Sequence, residues 1–122
     1  MPDASTTVHE LKEAVRRFAD ERSWGPYHSP KNLVMALTVE VAELMEHFLW
    51  LTSDESRRAV ADPARKEAIA DEMADVACLL LNFSLNAGLD LSDAILAKMA
   101  KNAIKYPVGG SRPENTCEAG KS

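Results

Sequence analysis

Cysteine is nearly absent from this chain: Cys78 and Cys117 are its two copies in 122 residues. Two cysteines make no disulfide framework, so nothing ties the fold to an oxidising compartment. Cys78 sits in the apolar run VACLLL and reads as a small buried hydrophobe, while Cys117 lies in a polar tail outside any prenylation box. Long apolar runs are missing as well. The opening MPDASTTVHELKEAVRRF contains no apolar stretch of the signal-peptide kind, and Asp75, Asn82 and Ser84 interrupt the longest run before it reaches membrane-spanning length. The expectation is a cytoplasmic protein with no membrane segment. Basic charge is in deficit, with 14 Lys and Arg against 19 Asp and Glu and a net charge of -5, which repels a polyanion and argues against a nucleic-acid polymer as partner. Small phosphorylated ligands stay open, because a metal can bridge acids to phosphate.

No strand pattern and no solenoid repeat interrupt what is there, which is helix. A hydrophobic share of 46% with 27% charged residues suits one soluble globular domain, and excludes disorder outside the ends. Thr7-Val8-His9-Glu10 has the form of a capping box, and Leu11, Ala14, Val15, Phe18 and Ala19 follow at helical spacing, predicting a helix over about 7–22. Trp24-Gly25-Pro26-Tyr27-His28 breaks the period as an aromatic loop. Ser29-Pro30 supplies a cap followed by Pro at the first helical position, opening a helix over about 30–50. Thr52-Ser53-Asp54-Glu55 begins a short charged helical piece, and Asp62-Pro63 repeats the cap-then-Pro signature ahead of a helix over 63–87 that stops at Gly88. Ser92 is the expected cap of a last long helix over about 92–105, ended by Pro107. The fold expected is all-α, a four-helix-bundle protomer over residues 1–107 with a flexible tail over 108–122. The second half of the 63–87 helix is apolar almost all round, so the protomer is expected to assemble as a dimer or a dimer of dimers.

Two carboxylate pairs sit inside these apolar helices: Glu40 with Glu43, and Glu72 with Asp75. Each pair is spaced i,i+3, which puts both acids on one helix face a turn apart. A solvated face is the usual explanation of one such pair. Here Leu37, Val41 and Leu44 on one segment, and Ile69, Val76 and Leu79 on the other, surround the acids with positions that face inward, so that explanation fits Glu46 and Asp71 better. Four carboxylates gathered away from bulk water repel one another, and a bound cation offsets both desolvation and repulsion. The rival is a set of acids lining a water-filled groove. Oxygen donors alone suit Mg²⁺, with Mn²⁺ as the second candidate, whereas Zn²⁺ sites recruit His or Cys. No Glu has a His three residues later, as four-helix di-iron sites require; His47, four residues after Glu43, keeps a transition metal open as the weaker reading and itself reads as an interface or supporting residue before a ligand. Mg²⁺ held by carboxylates keeps open positions for water and phosphate oxygens, which points to a nucleotide or another phosphorylated substrate.

Two further groups are less specific. Lys98, Lys101, Asn102, Lys105 and Tyr106 form a basic and polar stripe opposite Ile95, Met99 and Ile104, which spacing alone reads as a solvated face. Trp24, Tyr27, His28 and Trp50 flank the 30–50 helix, where they serve either as packing anchors or as faces on which a base stacks.

Together these residues resemble the all-α nucleoside triphosphate pyrophosphohydrolases of the MazG-like superfamily, and within it the small dCTP pyrophosphatase type. Family members carry ExxE on one helix and ExxD on the next long one, here Glu40-Val-Ala-Glu43 and Glu72-Met-Ala-Asp75 with 28 residues between the pairs. The segments ERSWGPYHSPKNL and KMAKNAIKYP look like the family's flanking blocks, and the resemblance covers about residues 11–107. It implies Mg²⁺-dependent hydrolysis of (deoxy)nucleoside triphosphates to monophosphate and pyrophosphate, as house-cleaning of the nucleotide pool with a pyrimidine or modified dNTP preferred. By the same resemblance Glu40, Glu43, Glu72 and Asp75 carry the metal, and Glu40 or Glu43 activates the attacking water. Lys98, Asn102, Lys105 and Tyr106 match the phosphate-handling block, and Trp24, His28 and Trp50 match positions that shape the base pocket. One departure stands out: Leu79 lies one turn after Asp75, where some relatives carry a polar aromatic residue. The alternatives are a related phosphohydrolase with different cleavage, and a non-enzymatic helical oligomerisation module in which the acids hold metal structurally.

Overall fold

Thr7 opens the first helix as its sequence asks. Its hydroxyl accepts from the Glu10 amide at 3.1 Å, and the Glu10 carboxylate accepts from the Thr7 amide at 2.8 Å, closing a reciprocal cap on α1 (Val8–Glu21). This computed structural model describes residues 1–110; of the tail expected over 108–122, residues 111–122, with Cys117, lie outside the described residues. A short 3-10 turn, Gly25–Tyr27, carries the aromatic loop into α2 (Pro30–Glu46), which Ser29 caps. Thr52 and Glu55 form a second reciprocal cap on α3 (Ser53–Ala61). Asp62 then accepts from the Ala64 amide at 3.0 Å to begin α4 (Pro63–Ala87). Gly88, at φ 66°, ends α4 in the left-handed conformation that glycine adopts without Cβ strain. The last helix is α5 (Leu91–Lys105). The described residues are all-α, with the four long helices expected and the short charged one between them.

Two boundaries differ from the sequence expectation. α2 stops at Glu46, not Trp50: the amides of His47, Phe48 and Leu51 turn to carbonyls three residues back, tightening the chain so that Thr52 reaches the extended backbone its cap requires. α5 is capped by Asp90 and not by Ser92. The Asp90 carboxylate accepts from the Asp93 amide at 2.8 Å, and a charged oxygen at a helix N-terminus also meets the helix dipole.

α4 is the spine. It packs most extensively along α2, while α1 and α3 lean on it less closely. α2 and α4 run antiparallel, since Arg65 near the start of α4 donates to the His47 carbonyl just past the end of α2. The apolar side chains fully withdrawn from solvent among the described residues are Ala19, Leu33, Ala59 and Leu81. That is a small core for a chain of this length, which ordinarily buries roughly two-thirds of its surface. Correspondingly, Met35, Val39 and Met45 on α2 and Leu96, Met99 and Ile104 on α5 stand exposed, and α5 packs extensively against none of the other helices. No helix among the described residues is long and apolar enough to cross a membrane.

Candidate metal centre and adjoining cavity

The i,i+3 spacing sets Glu40 and Glu43 on one face of α2, and Glu72 and Asp75 on one face of α4. The antiparallel packing of the two helices turns these faces toward each other. One carboxylate oxygen from each of Glu40, Glu43 and Glu72 lies within 4.8 Å of the others. Asp75 stands beside this trio, near enough for its charge to act on both Glu40 and Glu72. Of the four acids singled out in the sequence, three form a tight group and Asp75 stands alongside.

The electrostatics of the group are those of acids without a counter-charge. Among the described residues none of the four is ion-paired to Lys, Arg or His, and Oε2 of Glu40 and Oε2 of Glu72 are closed off from solvent with no hydrogen-bond partner. Loss of hydration, a carboxyl–carboxylate contact with Glu43, and repulsion from Glu43, Asp75 and Glu72 push Glu40 up to about 7. Glu72 is raised by loss of hydration and by Glu43 and Asp75, while its contact with Glu40 acts in the opposite direction. This donor set fits a hard divalent cation: orphaned carboxylate oxygens, within a few ångströms of one another, with no protein cation to satisfy them.

Glu40 and Asp75 also border a cavity of about 660 Å³ between α1, α2 and α4. Trp24 and His28, from the aromatic loop, line it. The Trp24 ring meets Phe18 edge-on at 5.6 Å between centroids and His28 edge-on at 6.1 Å, and Phe18 carries the Arg22 guanidinium on its ring at 3.5 Å. Aromatic and acidic ends therefore share one hollow. The sequence pairs their residues only by guess, because they come from three elements.

Other expected site residues stand apart within a single chain. Trp50 follows α2 in the turn, 88% exposed, and lines no part of this cavity. Lys98, Asn102, Lys105 and Tyr106 ride on α5, outside the cavity, with the Lys105 ammonium 5.2 Å from the centroid of the Tyr106 ring. Among the other lining residues, Phe18, Cys78 and Asn82 carry no site role in the sequence reading. Cys78, expected as a small buried hydrophobe, is exposed at the cavity wall, because α2 and α1 cover only part of its face of α4; partial loss of hydration and the Asp75 charge raise it, which keeps it a thiol. The signal that finds Asn82 is the acid stripe itself, since Asp75, Leu79 and Asn82 continue it along α4 at i, i+4 and i+7.

Comparison with known proteins agrees with this arrangement. Residues 35–116 match the MazG-like family. The chain is similar to dCTP pyrophosphatase 1 of Bos taurus, 35% identical over 106 residues covering 87% of this chain and 63% of that protein. It is likewise similar to dCTP pyrophosphatase 1 of Homo sapiens, 36% identical over 101 residues covering 83% and 59%. The chain thus spans less than two thirds of the length of these curated relatives. Among solved structures, a pyrophosphatase from Archaeoglobus fulgidus superposes with a TM-score of 0.78 at 38% identity, covering 88% of this chain and 98% of the other. The chain belongs to the MazG-like family.

Proposed function

We propose that this chain is a Mg²⁺-dependent nucleoside triphosphate pyrophosphohydrolase, one that splits a deoxynucleoside triphosphate into monophosphate and pyrophosphate and favours a pyrimidine. The observation that carries the reading is the pair of buried, unpartnered oxygens on Glu40 and Glu72, facing Glu43 with no protein cation nearby. The names of the relatives support the substrate class, and the cavity beside the acids supports a ligand larger than a phosphate ion. Glu40, Glu43, Glu72 and Asp75 would hold the metal; when bound, it neutralises phosphate charge and lowers the proton affinity of water.

The chain's own residues supply the rest. Glu40 takes the proton from the attacking water through a carboxylate oxygen that the metal leaves free, the role of a general base positioned beside the reacting atom. Glu43 shares that environment and orients the same water. Trp24 and His28 offer aromatic faces to the base, with Leu79 as apolar floor between the base and the acids. Lys98, Asn102, Lys105, Tyr106 and Trp50 complete the site from a second copy of the chain. The exposed apolar faces of α2 and α5 support that homo-oligomer, as a dimer or a dimer of dimers. House-cleaning of the cytoplasmic nucleotide pool is the role we assign to it.

Glu40→Gln tests the assignment. It abolishes hydrolysis while the helical circular dichroism persists; a variant that keeps turnover removes Glu40 from the chemistry. Loss of thermal stability in a chain with no turnover before or after the change is the behaviour of a structural metal module.

A further inference from the structure

The cavity has a polar end to which the proposed reaction gives no task. Asn82, on α4, is 9% exposed, yet its carboxamide has no hydrogen-bond partner among the described residues. The side-chain bond that does reach this residue, from Asn86 Nδ2 at 2.9 Å, ends on the Asn82 backbone carbonyl. A carboxamide offers two donor hydrogens and an oxygen with two lone pairs, and an apolar side chain would fill a packing position without leaving these unmet. Its oxygen and nitrogen are absent from the buried atoms lacking partners, so the carboxamide reaches open space; Asn82 borders both this cavity and an adjoining hollow of about 250 Å³ beside Arg16 and Asp20, and His28 lines the two together.

Position along α4 adds a distance. Glu72, Asp75, Leu79 and Asn82 follow one helix face, and the last three border the same cavity. At 1.5 Å of rise per residue Asn82 lies about 10 Å beyond Asp75 along the axis. A nucleotide with its phosphates at the carboxylates extends away from them through its sugar, so its base arrives at the far end of this stripe. There it meets Trp24 and His28 on the side and the carboxamide ahead.

We propose that Asn82 reads the hydrogen-bonding edge of the nucleobase. With a cytosine, Oδ1 accepts from the exocyclic 4-amino group while Nδ2 donates to ring N3, the two-bond pairing of a carboxamide with an adjacent donor and acceptor. Turned over, the same group meets N3–H and O4 of a thymine; what it rejects is a pyrimidine lacking one of the two edge groups. This deepens the proposed function and rests on it: the pyrophosphohydrolase supplies the nucleotide, and Asn82 supplies recognition of its base.

The test pairs a protein change with a ligand change. kcat/KM is measured for dCTP and for the corresponding 2-pyrimidinone deoxynucleoside triphosphate, which lacks the 4-amino group. Both are assayed in the wild-type chain, in Asn82→Leu and in Asn82→Ala, with folding followed by circular dichroism. Binding of the α,β-imido forms of both nucleotides, which resist cleavage at that bond, is titrated alongside. A buried group left unpaired by the analogue makes the wild type favour dCTP by about 100-fold or more. In folded Asn82→Leu or Asn82→Ala that ratio falls below about 10-fold, through a higher KM for dCTP. A ratio unchanged by both substitutions, or equal losses on both nucleotides, overturns the role of Asn82. If the wild type cleaves dCTP without discriminating the analogue, Asn82 fails while hydrolysis stands. If it discriminates the imido forms through Asn82 but cleaves neither triphosphate, hydrolysis fails while the recognition stands. If it binds neither, both fall.

Discussion

Glu40 on α2 and Glu72 on α4 meet across the central helix pair, each with one carboxylate oxygen closed off from water and met by no hydrogen-bond donor. Two such groups with Glu43 between them are unfavourable in a folded chain unless they gain a proton or a cation. The i,i+3 spacing and the extensive packing of α2 along α4 hold them there regardless. Stability, pH response and metal binding are therefore coupled at this point.

The proposed metal site predicts that a divalent cation stabilises the fold. With Mg²⁺ at 100 times its dissociation constant, the folded state gains about 2.7 kcal/mol, which raises Tm by several degrees in a domain of this size. Differential scanning calorimetry with Mg²⁺ and then with excess chelator measures the increment. Glu72→Gln removes most of it; a Tm indifferent to the metal in the wild type contradicts the site.

In chelator, stability falls as pH rises from 4.5 through about 7. The ordinary carboxyl value is 4.5, Glu40 lies at about 7 in the fold, and Glu72 is raised in the same direction. Between 4.5 and 7 the folded chain holds protons that the unfolded chain has released, so the free energy of unfolding decreases with pH. This contribution is fully present below the unfolded value and lost above the folded one. Glu13 and Glu55, lowered by Arg16 and by the Thr52 cap respectively, act with the opposite sign and toward lower pH. Urea midpoints across the range decline for the wild type and flatten for Glu40→Gln; a midpoint that rises over this range counts against the buried cluster.

In the proposed homo-oligomer, the exposed face of α5 lies at the interface. Leu96 is 66% exposed in the single chain, so Leu96→Asp leaves the monomer's packing intact while placing a charge in the proposed interface. Sedimentation equilibrium reports an oligomer for the wild type and a shift toward monomer for Leu96→Asp, with helicity unchanged. A wild-type monomer, or an oligomer indifferent to the charge, contradicts completion of the site by a second copy.

Local elements respond in proportion to their burial. Leu33, 2% exposed, loses about 2–5 kcal/mol on Leu33→Ala, because the small core has few neighbours able to collapse into the space. Asp90→Ala removes the α5 cap and costs about 1 kcal/mol. Chemical denaturation of both variants checks the order; equal losses disagree with the burial pattern.

What the sequence made readable is what physical chemistry fixes locally. The Thr7 and Thr52 caps, the Asp62-Pro63 start and the Gly88 stop each depend on residues within a turn, and the i,i+3 acids announce a shared face before any partner helix is known. The end of α2 was hidden because Phe48, Leu49 and Trp50 continue the apolar run past the point where hydrogen bonding changes. Asp90 and Ser92 are both good caps two residues apart, and only the geometry chooses between them. Asn82 reads along the chain as an interruption of an apolar run, and only the cavity gives it a direction. Lys98, Asn102, Lys105 and Tyr106 lie outside the cavity of the single chain, and their spacing on α5 does not say what that face meets.

The most direct test is product analysis by anion exchange for a panel of natural and modified deoxynucleoside triphosphates, with Mg²⁺ and with chelator. Monophosphate and pyrophosphate, formed with Mg²⁺ and not without it, and fastest from a pyrimidine, is the predicted result. Diphosphate with inorganic phosphate, or no turnover of any nucleotide by a chain that binds the metal, contradicts it.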